Sequence, residues 1–200
     1  MSLYNYITYL EYLNKKLTDF FENQQEYICC QKGCSKCCRH GNYPFTEIEF
    51  EYLMFGFKKL DSAIQESIKN KIINLNEQKI TSTEEYFMHE CPFLINDACS
   101  LYEYRGIICR TFGLMYYRDD GSTKVPFCAF EGLNYSNVVD AQNKTISEEK
   151  YKALNCTQEP LAFNVGYKFL TNKEHETGYG VKFGDCKPLL EWLVRKFDIQ

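Results

Sequence analysis

The sequence predicts an α+β protein: a mostly helical single domain with short β-hairpins or knuckles. Two textures carry that expectation. Residues 1–90 repeat apolar side chains at helical spacing and open helices with Thr-x-x-Glu sequences, whereas Cys91 to Cys128 breaks into short apolar runs separated by turn residues. The third observation is chemical. Eleven of the 200 residues are cysteine, and five of them fall within Cys29–Cys38. With no signal peptide at Met1 to Asn14, the expected compartment is the reducing cytoplasm, where clustered thiols serve as ligands rather than disulfide partners. The fold is therefore expected to be held together by a cysteine-ligated metal centre, with a metal-binding core over about residues 26–132 and a C-terminal extension over about 133–200 packed on it.

Each element has its own signal. Leu3, Tyr6, Ile7, Leu10, Leu13, Leu17, Phe20 and Phe21 recur at helical spacing, which predicts a helix over residues 3–25. Gly33 and Gly41 mark irregular backbone around the first cysteines. Thr46 and Glu49 form a capping box that opens a helix to about Leu60. Asp61 is expected to cap the next helix, whose buried stripe is Ile64, Ile68, Ile72 and Leu75. A second capping box, Thr81 to Glu84, predicts a short helix through Met88. Asn96-Asp97 predicts a small hairpin between Phe93-Leu94-Ile95 and the residues after Cys99. Gly113 to Tyr117 and Val125 to Phe130 read as strands joined across Asp119-Asp120-Gly121. A third capping box, Thr145 to Glu148, starts a helix to about Leu154. Strands are expected near Leu161–Phe169 and Tyr179–Phe183, and a final helix from Pro188 buries Leu189, Leu190, Leu193 and Phe197.

Composition narrows the partners. A net charge of −4 argues against a general nucleic-acid binder, and no apolar run approaches the roughly 20 residues that cross a bilayer. The expected partner is a metal ion; no membrane and no nucleic acid are expected.

Thiolates suit zinc, iron and iron–sulfur clusters, which take four at a time. Cys30, Cys34, Cys37 and Cys38 have ligand-like spacing, and Cys91, Cys99, Cys109 and Cys128 supply four more in the turn-rich half. Eight thiols equal two four-thiolate sites. Cys29, Cys156 and Cys186 are expected to pack as ordinary buried cysteines. His40 and His89, each two residues from a cysteine, are the nitrogen alternatives. Arg105 and Arg110 flank Cys109 and are placed to offset thiolate charge, with Tyr102 as a further donor beside the cluster.

The motifs resemble a known family. Cys34-Ser35-Lys36-Cys37-Cys38, then Cys91-Pro92-Phe93-Leu94, then Cys99-Ser100-Leu101-Tyr102 through Arg105 to Cys109-Arg110 follow in order the three motifs of the CxxCxxCC or YkgJ-like domains, described as zinc- or iron-chelating. The likeness runs from about Cys30 to Cys128 and departs at Gly106, where the family has Pro, and at Ser35, where it has Gly. An extra residue before Cys34 leaves Cys29 or Cys30 as first ligand. The resemblance implies metal chelation without a defined reaction. The enzymatic alternative is an iron–sulfur enzyme of methyltransferase or radical S-adenosylmethionine type, through the family's relation to a flagellin lysine methylase. Cys30-x-x-x-Cys34-x-x-Cys37 matches the radical spacing, but Lys36 stands where an aromatic is usual and the helical start lacks βα units.

Overall fold

A computed structural model describes residues 3–30, 33–118 and 120–199, apart from the Tyr167 side chain. Asp119, in the expected Asp119-Asp120-Gly121 turn, lies outside the described residues. The architecture is mixed: helices and two-stranded antiparallel ladders. The backbone divides into two compact units whose chain segments alternate. One comprises Met1–Lys32 and Arg110–Val181, the other Gly33–Cys109 and Lys182–Gln200.

The first unit starts with the Leu3–Asn23 helix, which buries Tyr6, Leu10, Leu13 and Leu17 of the expected stripe together with Tyr9, while Leu3, Ile7, Phe20 and Phe21 are half-buried. It packs through Tyr9 on Tyr179 of the Lys173–Tyr179 helix, edge to face at 5.4 Å. A core of Tyr27, Met115, Val125, Ala129, Tyr135, Val138 and Val139 fills the same unit, with Tyr27 stacked on Tyr135 at 5.9 Å. Several expectations change here. Tyr116–Tyr117 pairs with Thr123–Lys124, but Phe127–Glu131 is a 3-10 helix: Pro126 withholds a ladder donor and Gly132 closes the turn at φ 77°. The Thr145 capping box does not form. Thr145–Ile146 is a strand against Val139–Asp140, and Ser147 caps the Glu148–Ala153 helix by accepting the Lys150 amide. The expected Leu161–Phe169 strand reduces to a single bridge between Phe163 and Tyr116, followed by the Tyr167–Leu170 helix.

The second unit is built on the Glu47–Phe57 and Ser62–Thr81 helices and the closing Leu189–Lys196 helix. Its core joins Phe45, Leu53, Phe57, Ile68, Ile72, Phe93, Leu101, Leu190 and Leu193, with Phe50 stacked on Trp192 at 5.4 Å. Trp192 meets its polar need by donating to the Phe45 carbonyl at 2.8 Å. Pro44–Thr46 pairs with Cys186–Pro188, in place of the strand expected over Tyr179–Phe183. No helix follows Thr81. Its hydroxyl donates back to the Glu77 and Gln78 carbonyls, closing the preceding helix instead of opening a new one.

No helix among the described residues is long and apolar enough to cross a membrane.

Candidate metal centre

Cys38, Cys91, Cys99 and Cys109 all lie in the second unit. Cys38 sits on the Lys36–Arg39 turn of helix, and its carbonyl accepts the Cys91 amide at 2.7 Å. Three residues past Cys38 and two before Cys91, Gly41 and His89 form an antiparallel bridge. This short pairing brings the first cysteine motif beside the second. Cys91 then leads into a knuckle: Leu94–Ile95 pairs with Ala98–Cys99, and Asn96 and Asp97 turn the chain at φ 49° and 61°. A two-residue hairpin of that hand needs positive φ at both centres, which Asn and Asp tolerate. Cys109 comes from the Ile107–Thr111 helix. Cys91, Cys99 and Cys109 all pack against the unit's hydrophobic core.

Burial and neighbouring charge shift the ionisation of these thiols. Burial pushes the Cys91 thiol well up, and Cys109, Cys38 and Cys99 push it further, while the Phe93 backbone amide opposes them by hydrogen bonding to the sulfur. Cys99 rises through burial, then Cys38, against a hydrogen bond from the Leu101 amide. Cys109 rises through burial, then Cys99, Cys38 and Glu49. Cys38 goes the other way. The Cys37 thiol, its sulfur 4.0 Å away, pulls Cys38 down to about 7 against burial and the Glu90 carboxylate, with help from Arg105. Amides aimed at sulfur two residues past each knuckle cysteine favour thiolate, the form that binds metal.

Arg105 is the cation common to Cys38, Cys99 and Cys109. It donates to the Tyr102 carbonyl at 2.7 Å and lies 3.7 Å over the Tyr102 ring, so Tyr102 serves as the platform that aims Arg105. The aromatic among the thiols is Tyr43, which the sequence reading missed. Its hydroxyl donates to the Cys37 carbonyl, and its own ionisation is suppressed by burial and then by Cys37, Cys109, Cys38 and Cys91. The ring lies so flat on Gly41 that a Cβ there would fall 2.1 Å from it. An aromatic and a glycine just past the Cys-Cys pair were the available signal.

Cys34 precedes the Lys36–Arg39 turn, half-buried. Cys30 and Cys128 belong to the first unit. There Asn134, fully buried, accepts the Cys29 amide and donates to the Gly113 carbonyl, both at 2.8 Å, and Leu133 donates to the Cys128 carbonyl at 3.0 Å. Arg110 donates to Asn14 at 3.0 Å in that unit. His89 is buried, stacks on Phe87 at 5.5 Å and shares its Nδ1 with the Glu90 carbonyl. His40 is exposed.

Gly106, where the chain departs from the family pattern, is explained by crowding. A Cβ there would sit 2.6 Å from the Phe45 ring and 3.0 Å from Glu49 Oε1. Gly106→Ala is expected to lower stability by about 1–3 kcal/mol, read as a shift in the urea midpoint at unchanged slope.

Sulfur donors suit a thiophilic metal, and an amide hydrogen bond or a nearby guanidinium favours their thiolate form. Among the described residues no group of three or more His, Cys, Asp or Glu side chains is placed to hold a metal ion.

Comparison with known proteins agrees with this chemistry. Searches of curated proteins and of solved structures return no match. A family model described as "Putative zinc- or iron-chelating domain", CxxCxxCC, matches residues 29–129, half of the chain and all three cysteine motifs. The chain therefore belongs to the CxxCxxCC family of zinc- or iron-chelating domains.

Proposed function

We propose that Cys38, Cys91, Cys99 and Cys109 bind one zinc or iron ion as a closed four-thiolate site whose role is to hold the second unit's loops together. The observation that carries this reading is the backbone pairing that sets Cys38 beside Cys91 at the start of the knuckle bearing Cys99, with Cys91, Cys99 and Cys109 packed on one core. Four thiolates leave zinc no open position, which suits holding rather than catalysis. Cys37 serves as a hydrogen-bond donor to Cys38, and Arg105 as the charge-balancing cation. Cys30, Cys34 and Cys128 stand outside this site. We read the two units as one domain, since the chain passes between them at residues 32–33, 109–110 and 181–182. The methyl-transfer alternative draws no support from the family match, whose description names chelation alone.

Elemental analysis of protein purified without air, followed by exchange to cobalt(II), tests the reading. One ion per chain and a cobalt spectrum with thiolate charge transfer from four sulfurs are expected. Protein that takes up none of zinc, iron or cobalt overturns it.

A further inference from the structure

Among the described residues of the second unit, Glu49 is the one carboxylate with no exposure to solvent. A buried charge must be fully hydrogen-bonded to persist, and this one is placed between two segments. Its Oε2 accepts the Thr46 backbone amide at 2.8 Å and the Thr46 hydroxyl at 2.7 Å, completing the capping box of the Glu47–Phe57 helix. Its Oε1 does something a capping box does not require: it accepts the Ile107 amide at 2.7 Å. Ile107 is the first residue of the short helix that carries Cys109 two positions later. The Gly106 backbone lies against the same Oε1, with no room for a side chain between them. Burial and neighbouring charges, that of Glu49 among them, push the Cys109 thiol up.

We propose that Glu49 is a positioning residue of the metal centre: one buried carboxylate, pinned at Thr46, fixes the start of the Ile107–Thr111 helix and thereby sets where the Cys109 sulfur stands. The inference rests on the metal-binding reading above and adds a residue that is not itself a ligand. A negative charge beside a thiolate is unfavourable for binding in itself. Its retention at zero exposure is accounted for by the two acceptors it supplies, which no neutral side chain of that size offers together.

The test is cobalt(II) titration of the full chain carrying Glu49→Ala or Glu49→Gln, beside wild type and Cys109→Ser. Affinity is measured by chelator competition, and thiolate number is read from the charge-transfer band. For Glu49→Ala we expect a roughly 10–100-fold loss of affinity, the size of effect seen for groups that orient metal ligands. Its spectrum should move toward that of Cys109→Ser while far-UV circular dichroism stays at wild type. Glu49→Gln keeps one acceptor and fits the same space, so a smaller loss in the same direction is expected. If the alanine variant fails to fold, the glutamine variant is read alone. Wild-type affinity with a four-thiolate spectrum overturns the inference, as does lowered melting temperature with the four-thiolate spectrum intact. If wild type itself takes up no cobalt, the metal reading fails and this inference falls with it. Uptake by wild type with unchanged Glu49 variants sinks this inference alone.

Discussion

Cys109→Ser is expected to remove tight metal binding and, with it, most of the stability of the second unit. Serine matches the thiol in shape but is a poor ligand for a soft or borderline ion, so three sulfurs remain where four are needed. The loss of affinity should exceed the roughly 10–100-fold that changing an orienting residue costs. Metal binding at a thiolate site contributes on the order of 10 kcal/mol to folding, against a total stability of about 5–15 kcal/mol for an ordinary domain. Losing the ion is thus a change of the same size as the whole fold's margin. Cys91→Ser should behave alike. Cys156→Ser and Cys186→Ser are the controls: Cys186 is exposed, Cys156 is half-buried in the first unit, and neither is expected to change metal content. Urea unfolding of the zinc-loaded and chelator-treated proteins checks all four. Wild-type metal content in Cys109→Ser would remove Cys109 from the site.

Local signals were legible in the chain and distant ones were not. The Thr46–Glu49 box, the Leu3–Asn23 helix and the Asn96-Asp97 turn each depend on residues within a few positions; all three form, though the hairpin pairs Leu94–Ile95 with Ala98–Cys99 and not with the residues after Cys99. The Thr81 and Thr145 boxes fail because the same pattern has two meanings. A threonine hydroxyl can bond backward to a helix it ends, or its residue can join a ladder, and only tertiary context decides. The pairing of Pro44–Thr46 with Cys186–Pro188 joins segments at opposite ends of the chain, and no periodicity announces it. The thiols show the same division. Spacing marked Cys38, Cys91, Cys99 and Cys109 as candidates because short motifs converge cheaply. Tyr43 and the second bond of Glu49 depend on where the Cys-Cys turn and the Gly106 backbone meet, which spacing does not encode.

The metal-free protein should lose stability as pH rises above about 9, and the metal-loaded protein should not. Cys91, Cys99 and Cys109 all have raised pKa values in the fold, chiefly through burial. An unfolded cysteine titrates near 8.5. Above that pH the unfolded chain releases protons that the folded thiols still hold, so stability falls with pH by up to about 1.4 kcal/mol per unit for each thiol. The contribution is fully present below pH 8.5 and is lost as pH climbs toward the folded values. Cys38 has the opposite sign: held down to about 7 by Cys37, it stabilises above the unfolded value and its share is lost as pH falls through 7. Cys186, outside the proposed site, is raised by burial as well, so raised thiols outnumber the lowered one and alkaline loss is the larger effect. Bound metal removes it, because all four sulfurs are then thiolates and the fold no longer holds their protons. Proton competition then takes over, and the loaded protein is expected to release its ion on acidification instead. Urea midpoints at pH 7.5 and pH 10, under reducing conditions with zinc or with chelator, read both trends. A metal-free midpoint that does not move between those values would mean that these thiols are open to water, and a four-thiolate centre backed by the Phe93 and Leu101 core would be wrong.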